Sequence, residues 1–210
     1  MISDSLKEYM HKHSKTDSPF LSKVTQETYA NIELAQMICG PLVGNLLKFL
    51  VRISDAKLVL DVGTFVGFSA LTLAEAMDVG GKVITCENNE IHFEIAKKNI
   101  KAHPNGNKVE LFFGDALDCI NSVQELLDLS FLDANKKDSI DQYNLLVEKT
   151  RPGKAIVVDD ALWKGEIIEM SEPKHLIMDE LNKFILKDPR VENVLIPLRN
   201  GINLVYKLKS

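Results

Sequence analysis

Several short apolar runs in this 210-residue sequence end in a carboxylate: Asp61 closes Leu58–Leu60, Glu87 closes Val83–Cys86, Asp133 closes Leu129–Leu132, and Asp159 and Asp160 close Ala155–Val158. Asp115 follows another such run. If these runs are strands of one parallel sheet, the acids share the edge where ligands of such sheets bind. Asp133, Asp159 and Asp160 stand at the ends of two runs expected to be neighbours. Three converging carboxylates repel one another, and a hard divalent cation is the usual remedy: magnesium, with calcium or manganese as further candidates. Lys136 lies three residues after Asp133. An ammonium beside a cation loses stability, so its neutral form becomes accessible as a general base. The structural alternatives are water-exposed or helix-capping loop acids and a solvated lysine beside Lys137. Trp163, the sole tryptophan, follows the acid pair with Lys164 next to it; it either fills core or walls a flat aromatic substrate.

The stretch Leu58–Ser69 places two glycines, Gly63 and Gly67, around Thr64, Phe65 and Val66, directly after Asp61. Glycine admits backbone angles closed to other residues and lets the chain approach a ligand closely. Dinucleotide loops usually read G-x-G-x-x-G; G-x-x-x-G preceded by an acid suits S-adenosylmethionine better, the carboxylate pairing with the methionine ammonium. A tight structural turn uses glycine too. Glu87 falls 24 residues after Gly63, a spacing at which an acid can accept both ribose hydroxyls of a nucleoside, or else cap the helix from Glu90.

The elements needed to position these groups are legible. Helices are expected over 68–77, 90–102, 115–127 and 138–149, alternating with strands 58–62, 82–86, 108–113, 129–132 and 154–158, the rhythm of a doubly wound parallel sheet. A helix near 173–187 precedes strands 191–198 and 201–208, joined through Arg199-Asn200-Gly201, a hairpin signal that predicts an antiparallel sheet end. Residues 1–56 read as helices: Ser3 caps one, Thr25 or Gln26 starts another, and Pro41 opens a third. The whole, 1–210, is expected to form one α/β domain: helices over 1–56 and a cofactor-binding core over 57–210.

A composition of 45% hydrophobic and 26% charged residues fits a globular chain with a sizeable core. Net charge −5 and the lack of a Lys/Arg-rich block disfavour nucleic acid. Three cysteines without C-x-x-C spacing indicate neither a disulfide framework nor a structural zinc site. The absence of a signal-like start and of a continuous run of about 18 apolar residues points to a cytoplasmic protein with no membrane partner.

These motifs resemble the class I S-adenosylmethionine-dependent O-methyltransferases, in particular the cation-dependent caffeoyl-CoA and catechol group. The family pattern reads E-I-G-x-x-x-G-Y-S, an acid closing strand two, G-x-A, D-A-D-K, D-N-x-L-W-x-G and P-L-x-D-G. Its counterparts are Asp61–Ser69, Glu87, Gly114-Asp115-Ala116, Asp133-Ala134-Asn135-Lys136, Asp159–Gly165 and Pro197–Gly201. The resemblance implies a Rossmann-like, mostly parallel seven-stranded sheet with an antiparallel C-terminal strand. It further implies that Cys39, Asp61, Gly63, Thr64, Ser69, Glu87, Ala116, Asp133 and Asn135 line the cofactor, that Asp133, Asp159 and Asp160 hold the metal, that Lys136 is the base, and that Trp163 and Lys164 meet the acceptor. The activity implied is methyl transfer to a hydroxyl of a small catechol-like or phenylpropanoid acceptor. The resemblance, with more apolar N-terminal positions than one sheet needs for cover, also implies a homodimer. Asn135 and Asp160 depart from D-A-D-K and D-N in opposite senses, as though an amide and a carboxylate had changed places. A non-catalytic S-adenosylmethionine-binding member is the alternative this exchange supports. An NAD(P)-dependent oxidoreductase is less favoured, lacking the third glycine and any Tyr-x-x-x-Lys pair.

Overall fold

The structure is a computed structural model that describes residues 2–209. Helix α1 (Asp4–His13) is capped by Ser3, whose hydroxyl accepts from the Leu6 N–H, as its sequence predicts. Helix α2 (Pro19–Asn31) starts well before the expected Thr25 or Gln26. The pair Ser18-Pro19 is the stronger start signal: Ser18 accepts from the Leu21 N–H, and proline's fixed φ suits a first turn. Thr25 lies inside the helix. Helix α3 (Gly40–Ile53) carries Pro41 in its first turn.

The alternating section runs β1 (Leu58–Val62), α4 (Phe68–Ala76), β2 (Lys82–Glu87), α5 (Glu90–Ala102), β3 (Val109–Phe113), α6 (Ala116–Ser122), β4 (Leu127–Leu132), α7 (Ser139–Lys149), β5 (Thr150–Val158), α8 (Pro173–Lys187), β6 (Val191–Ile196) and β7 (Ile202–Lys207). Helix α6 stops at Ser122, short of the expected 127, because Leu127 is already in β4 and pairs with Thr150. The seven strands form one sheet in the order β3-β2-β1-β4-β5-β7-β6. β1 to β5 are parallel; β7 runs antiparallel between β5 and β6.

Strand side chains alternate between the sheet faces. Val59, Val83, Leu129, Phe131 and Val157 meet α2, α3, α4 and α5 on one side. Leu60, Val62, Ile84, Leu132, Ile156 and Val158 meet α6, α7 and α8 on the other. On the first face Glu75 of α4 gathers Ser18 from the α2 cap, Lys48 of α3 and His103 at the end of α5, its side chain 14% exposed. The stretch Ala35–Ile53 is long and apolar enough to cross a membrane by length and composition, which the search for a continuous apolar run misses. Its Val43, Leu47 and Val51 are buried in the core.

Candidate active site

Register brings the strand-end acids together. Val62 pairs with Leu132 and Leu132 with Val158, so β1, β4 and β5 end side by side. The ladder continues past the strands: the Asp133 N–H donates to Val62 O at 2.9 Å and the Asp159 N–H to Leu132 O at 3.0 Å. Gly63 (φ 108°) lies so near this ledge that a Cβ there would stand 2.4 Å from the Asp133 carbonyl oxygen. Gly67 (φ 89°) turns the chain into α4.

A cleft of about 1300 Å³ opens above the ledge. Of the residues expected at the site, Cys39, Gly63, Thr64, Ser69, Glu87, Ala116, Asp133, Asn135, Lys136, Asp160, Trp163 and Lys164 line it. Asp61 and Asp159 are fully buried and are not among the lining residues. Asp61 Oδ2 accepts from Ser69 Oγ (3.0 Å) and Thr85 Oγ1 (2.8 Å), while Oδ1 has no partner. Burial pushes the carboxyl up to about 7.

Glu87 is open to the cleft and held by three backbone N–H groups: Phe65 donates to Oε2, and Asn88 and Asn89 donate to Oε1. The helix that follows is capped by Asn89, which accepts from Ile91 and His92, so Glu87 is not its side-chain cap. Asp115 caps α6. Asn135 is exposed and caps its own turn, accepting from the Lys137 N–H. The amide that meets Asp160 is instead Asn200, whose Nδ2 donates to Asp160 Oδ1 at 2.7 Å, at the position where the family pattern has Asp. Asp160 thus shares its carboxylate with Asn200, while Asn135 bonds within its own turn.

Sequence reading missed the decisive side chain. Arg199, at the tip of the β6–β7 hairpin, turns into the acid cluster: NH1 donates to Asp159 Oδ2 (3.1 Å) and Asp160 Oδ1 (3.3 Å), and NH2 to the carbonyls of Gln36 and Ile38. Lys136 Nζ lies 3.2 Å from Asp133 Oδ1 and 3.6 Å from Asp160 Oδ2. Burial works against both cations, but Asp133, Asp159 and Asp160 outweigh it and raise both pKa values. Burial, then the Asp133 carboxylate, pushes Asp159 up to about 8 against the pull of Arg199.

A divalent cation does not fit this donor set. Asp159 Oδ1 accepts from the Asp160 N–H and Oδ2 from Arg199; Asp160 Oδ1 is shared by Arg199 and Asn200. Among the described residues, no three His, Cys, Asp or Glu side chains form a group able to hold a metal ion. Asp133, Asp159 and Asp160, expected as metal ligands, do converge, and in this structure they meet the side-chain cations Lys136 and Arg199, which relieve part of their repulsion.

Trp163 (φ 43°) and Lys164 (φ 57°) are left-handed and begin a short 3₁₀ turn over the cleft. Lys174 Nζ covers the indole at 4.7 Å from the ring centroid, and the buried Trp163 Nε1 has no partner. The side walls include Phe65 and His92, packed edge to face at 4.7 Å, and Lys7, Met10 and His11 of α1. No spacing in the sequence marks these last residues.

A doubly wound sheet whose antiparallel β7 inserts beside β5, with a glycine turn after β1 and an acid closing β2 at one cleft, has the architecture of a class I methyltransferase. The O-methyltransferase family profile matches residues 11–208, and the chain belongs to that family. It is 33% identical over 174 residues to catechol O-methyltransferase domain-containing protein 1 of Mus musculus, covering 78% of this chain and 65% of that protein. It is 28% identical over 180 residues to caffeoyl-CoA O-methyltransferase 2 of Populus trichocarpa, covering 79% of this chain and 73% of that one. Among solved structures, an O-methyltransferase from Bacillus cereus in complex with S-adenosylhomocysteine superposes with a TM-score of 0.85 at 27% identity, over 98% of this chain and 97% of that one.

Proposed function

We propose that the protein transfers the methyl group of S-adenosylmethionine to a hydroxyl oxygen of a small, planar aromatic acceptor. The observation that carries this reading is Glu87: a carboxylate at the end of β2, fixed by three N–H donors and open to the cleft, placed to accept from a nucleoside ribose. The glycine turn lets the cofactor lie close to the backbone, and the family relatives named for catechol and caffeoyl-CoA support an aromatic acceptor.

The acceptor oxygen attacks the sulfonium methyl in line. A C–O bond forms from an oxygen lone pair, the C–S bond breaks with its electrons returning to sulfur, and the hydroxyl proton leaves to the Asp133 or Asp160 carboxylate and then to water. Lys136 is held as an ammonium by these acids and stabilises the developing oxyanion; the base role that the resemblance implies gives way to this one. Trp163 forms a flat wall for the acceptor ring. The divalent cation that the resemblance implies is not part of this reading, because the donor set does not fit it. Catalysis then rests on positioning and fixed charge.

Calorimetry with S-adenosylmethionine and NAD, followed by a methyl-transfer assay on catechols and monohydroxy phenols, tests the proposal. Binding of S-adenosylmethionine with turnover supports it. Binding without turnover on any phenol points to a non-catalytic binder, and preference for NAD overturns it.

A further inference from the structure

We infer that the Arg199 guanidinium stands in this chain where a divalent cation would otherwise sit among the strand-end acids. Methyl transfer here is accordingly metal-independent and asks for one acceptor oxygen rather than a vicinal pair. The inference rests on the methyltransferase reading and goes beyond it.

Asp133, Asp159 and Asp160 bring three carboxyl groups to adjacent strand ends, and Lys136 and Arg199 bring two cations within 3.1 to 3.6 Å of them. A guanidinium does what a metal would do for the carboxylates: it relieves their repulsion through directed contacts to more than one of them.

Arg199 reaches the cluster from a hairpin tip at φ 52°, and Asp160 opposite it has φ 62°. Side chains seldom adopt this left-handed conformation, and it persists only where surrounding contacts hold it. Here the contacts are the NH1 bonds to both acids, the Asn200 bond to Asp160, and the NH2 bonds to Gln36 and Ile38. A metal entering would have to break the first set.

Asp159 is fully buried and does not line the cleft, whereas Lys136 lines it together with Asp133 and Asp160, whose oxygens it and Arg199 contact. An acceptor therefore meets an ammonium, which binds a single oxyanion as a point charge. It does not meet an open coordination sphere, which selects two neighbouring oxygens by chelation.

The test uses the full chain stripped of metal, with S-adenosylhomocysteine added and Mn²⁺ followed by the paramagnetic resonance of the free ion. The wild type should take up no stoichiometric Mn²⁺, show no thermal shift on its addition, and turn over equally well in EDTA. Arg199→Gly should take up one equivalent and gain thermal stability from it. Glycine relieves the φ 52° strain, so this variant has a backbone reason to fold; Arg199→Met, which keeps much of the side-chain bulk, serves as the second. One equivalent of Mn²⁺ bound by the wild type overturns the inference, as does a folded variant that binds none. In the assay, a monohydroxy phenol should be methylated at a rate comparable to a catechol; strict need for a vicinal diol counts against the inference. The manganese arms involve no turnover. Failure of the wild type to bind S-adenosylhomocysteine therefore refutes the methyltransferase reading separately, whatever the metal titration gives.

Discussion

Replacing Asp61 with Asn should stabilise the cofactor-free protein at pH 8 while impairing its grip on the cofactor. The carboxyl is fully buried, one oxygen holds Ser69 and Thr85, and the other holds nothing. Its pKa rises from 3.8 to about 7, so the folded state keeps a proton that the unfolded chain releases. Stability must then fall as pH rises between those values and level off above the upper one, since the native state binds more protons in that window. A gap of roughly three units at about 1.4 kcal/mol each sets an upper bound of about 4 kcal/mol. Asn has the same shape and carries no charge, and rotating hydroxyls can serve its amide. Urea unfolding of both proteins from pH 4 to 9 should show curves that meet near pH 4 and separate by about 2–4 kcal/mol at pH 8, the variant higher. Asp159 shifts in the same sense in both proteins and largely cancels in the difference. Calorimetry should meanwhile show S-adenosylmethionine binding weakened tenfold or more. A stability difference that does not vary with pH, or a variant less stable at pH 8, would refute the reasoning.

Glu87→Gln should weaken S-adenosylmethionine binding by about 1.5–3 kcal/mol, the scale of hydrogen bonds to a charged group; an unchanged dissociation constant in a folded variant removes the ribose assignment. Gly63→Ala should lower stability by 2 kcal/mol or more, on the order of the strain of a left-handed non-glycine residue, because its Cβ meets the Asp133 carbonyl oxygen; denaturant titration reads this directly. Glu75→Ala strands Lys48 in the interface of α2, α3 and α4 and should cost about 3 kcal/mol; a loss below about 0.5 kcal/mol would make the cluster a surface ornament. We also propose the homodimer implied by the resemblance, with exposed Phe49 and Ile53 of α3 in its interface; light scattering should give twice the chain mass, and the monomer mass refutes it.

The alternating core is legible because its strands are short apolar runs and turns such as that after β1 carry glycine, so each strand end, and hence each edge acid, is placed by counting. The start of α2 falls at Ser18-Pro19 and not at Thr25, because serine and proline together carry the stronger start signal. The site's charges were half legible. Acids at strand ends follow from one-dimensional order, whereas Arg199 joins them only through a hairpin that returns across β5 from 39 residues downstream of Asp160, a long-range contact without periodicity. The same limit hid the Asn200–Asp160 contact, which spans 40 residues. Whether Asp61 faces the ligand or lies beneath it depends on packing depth, which residue type does not encode.

Helix α1 forms part of the cleft wall through Lys7, Met10 and His11, yet buries no residue of its own. Its departure would expose little apolar surface, so opening there is among the least costly motions of the molecule and leaves the sheet and the acid cluster intact. The turnover cycle can thus separate two demands that a sealed pocket would set against each other. Charges held at the sheet edge would stay in place while a separately lifting α1 gave spent product a way out. The amides of residues 4–13 should accordingly exchange with deuterium far faster than those of α4, and binding of S-adenosylhomocysteine should slow them without altering the core.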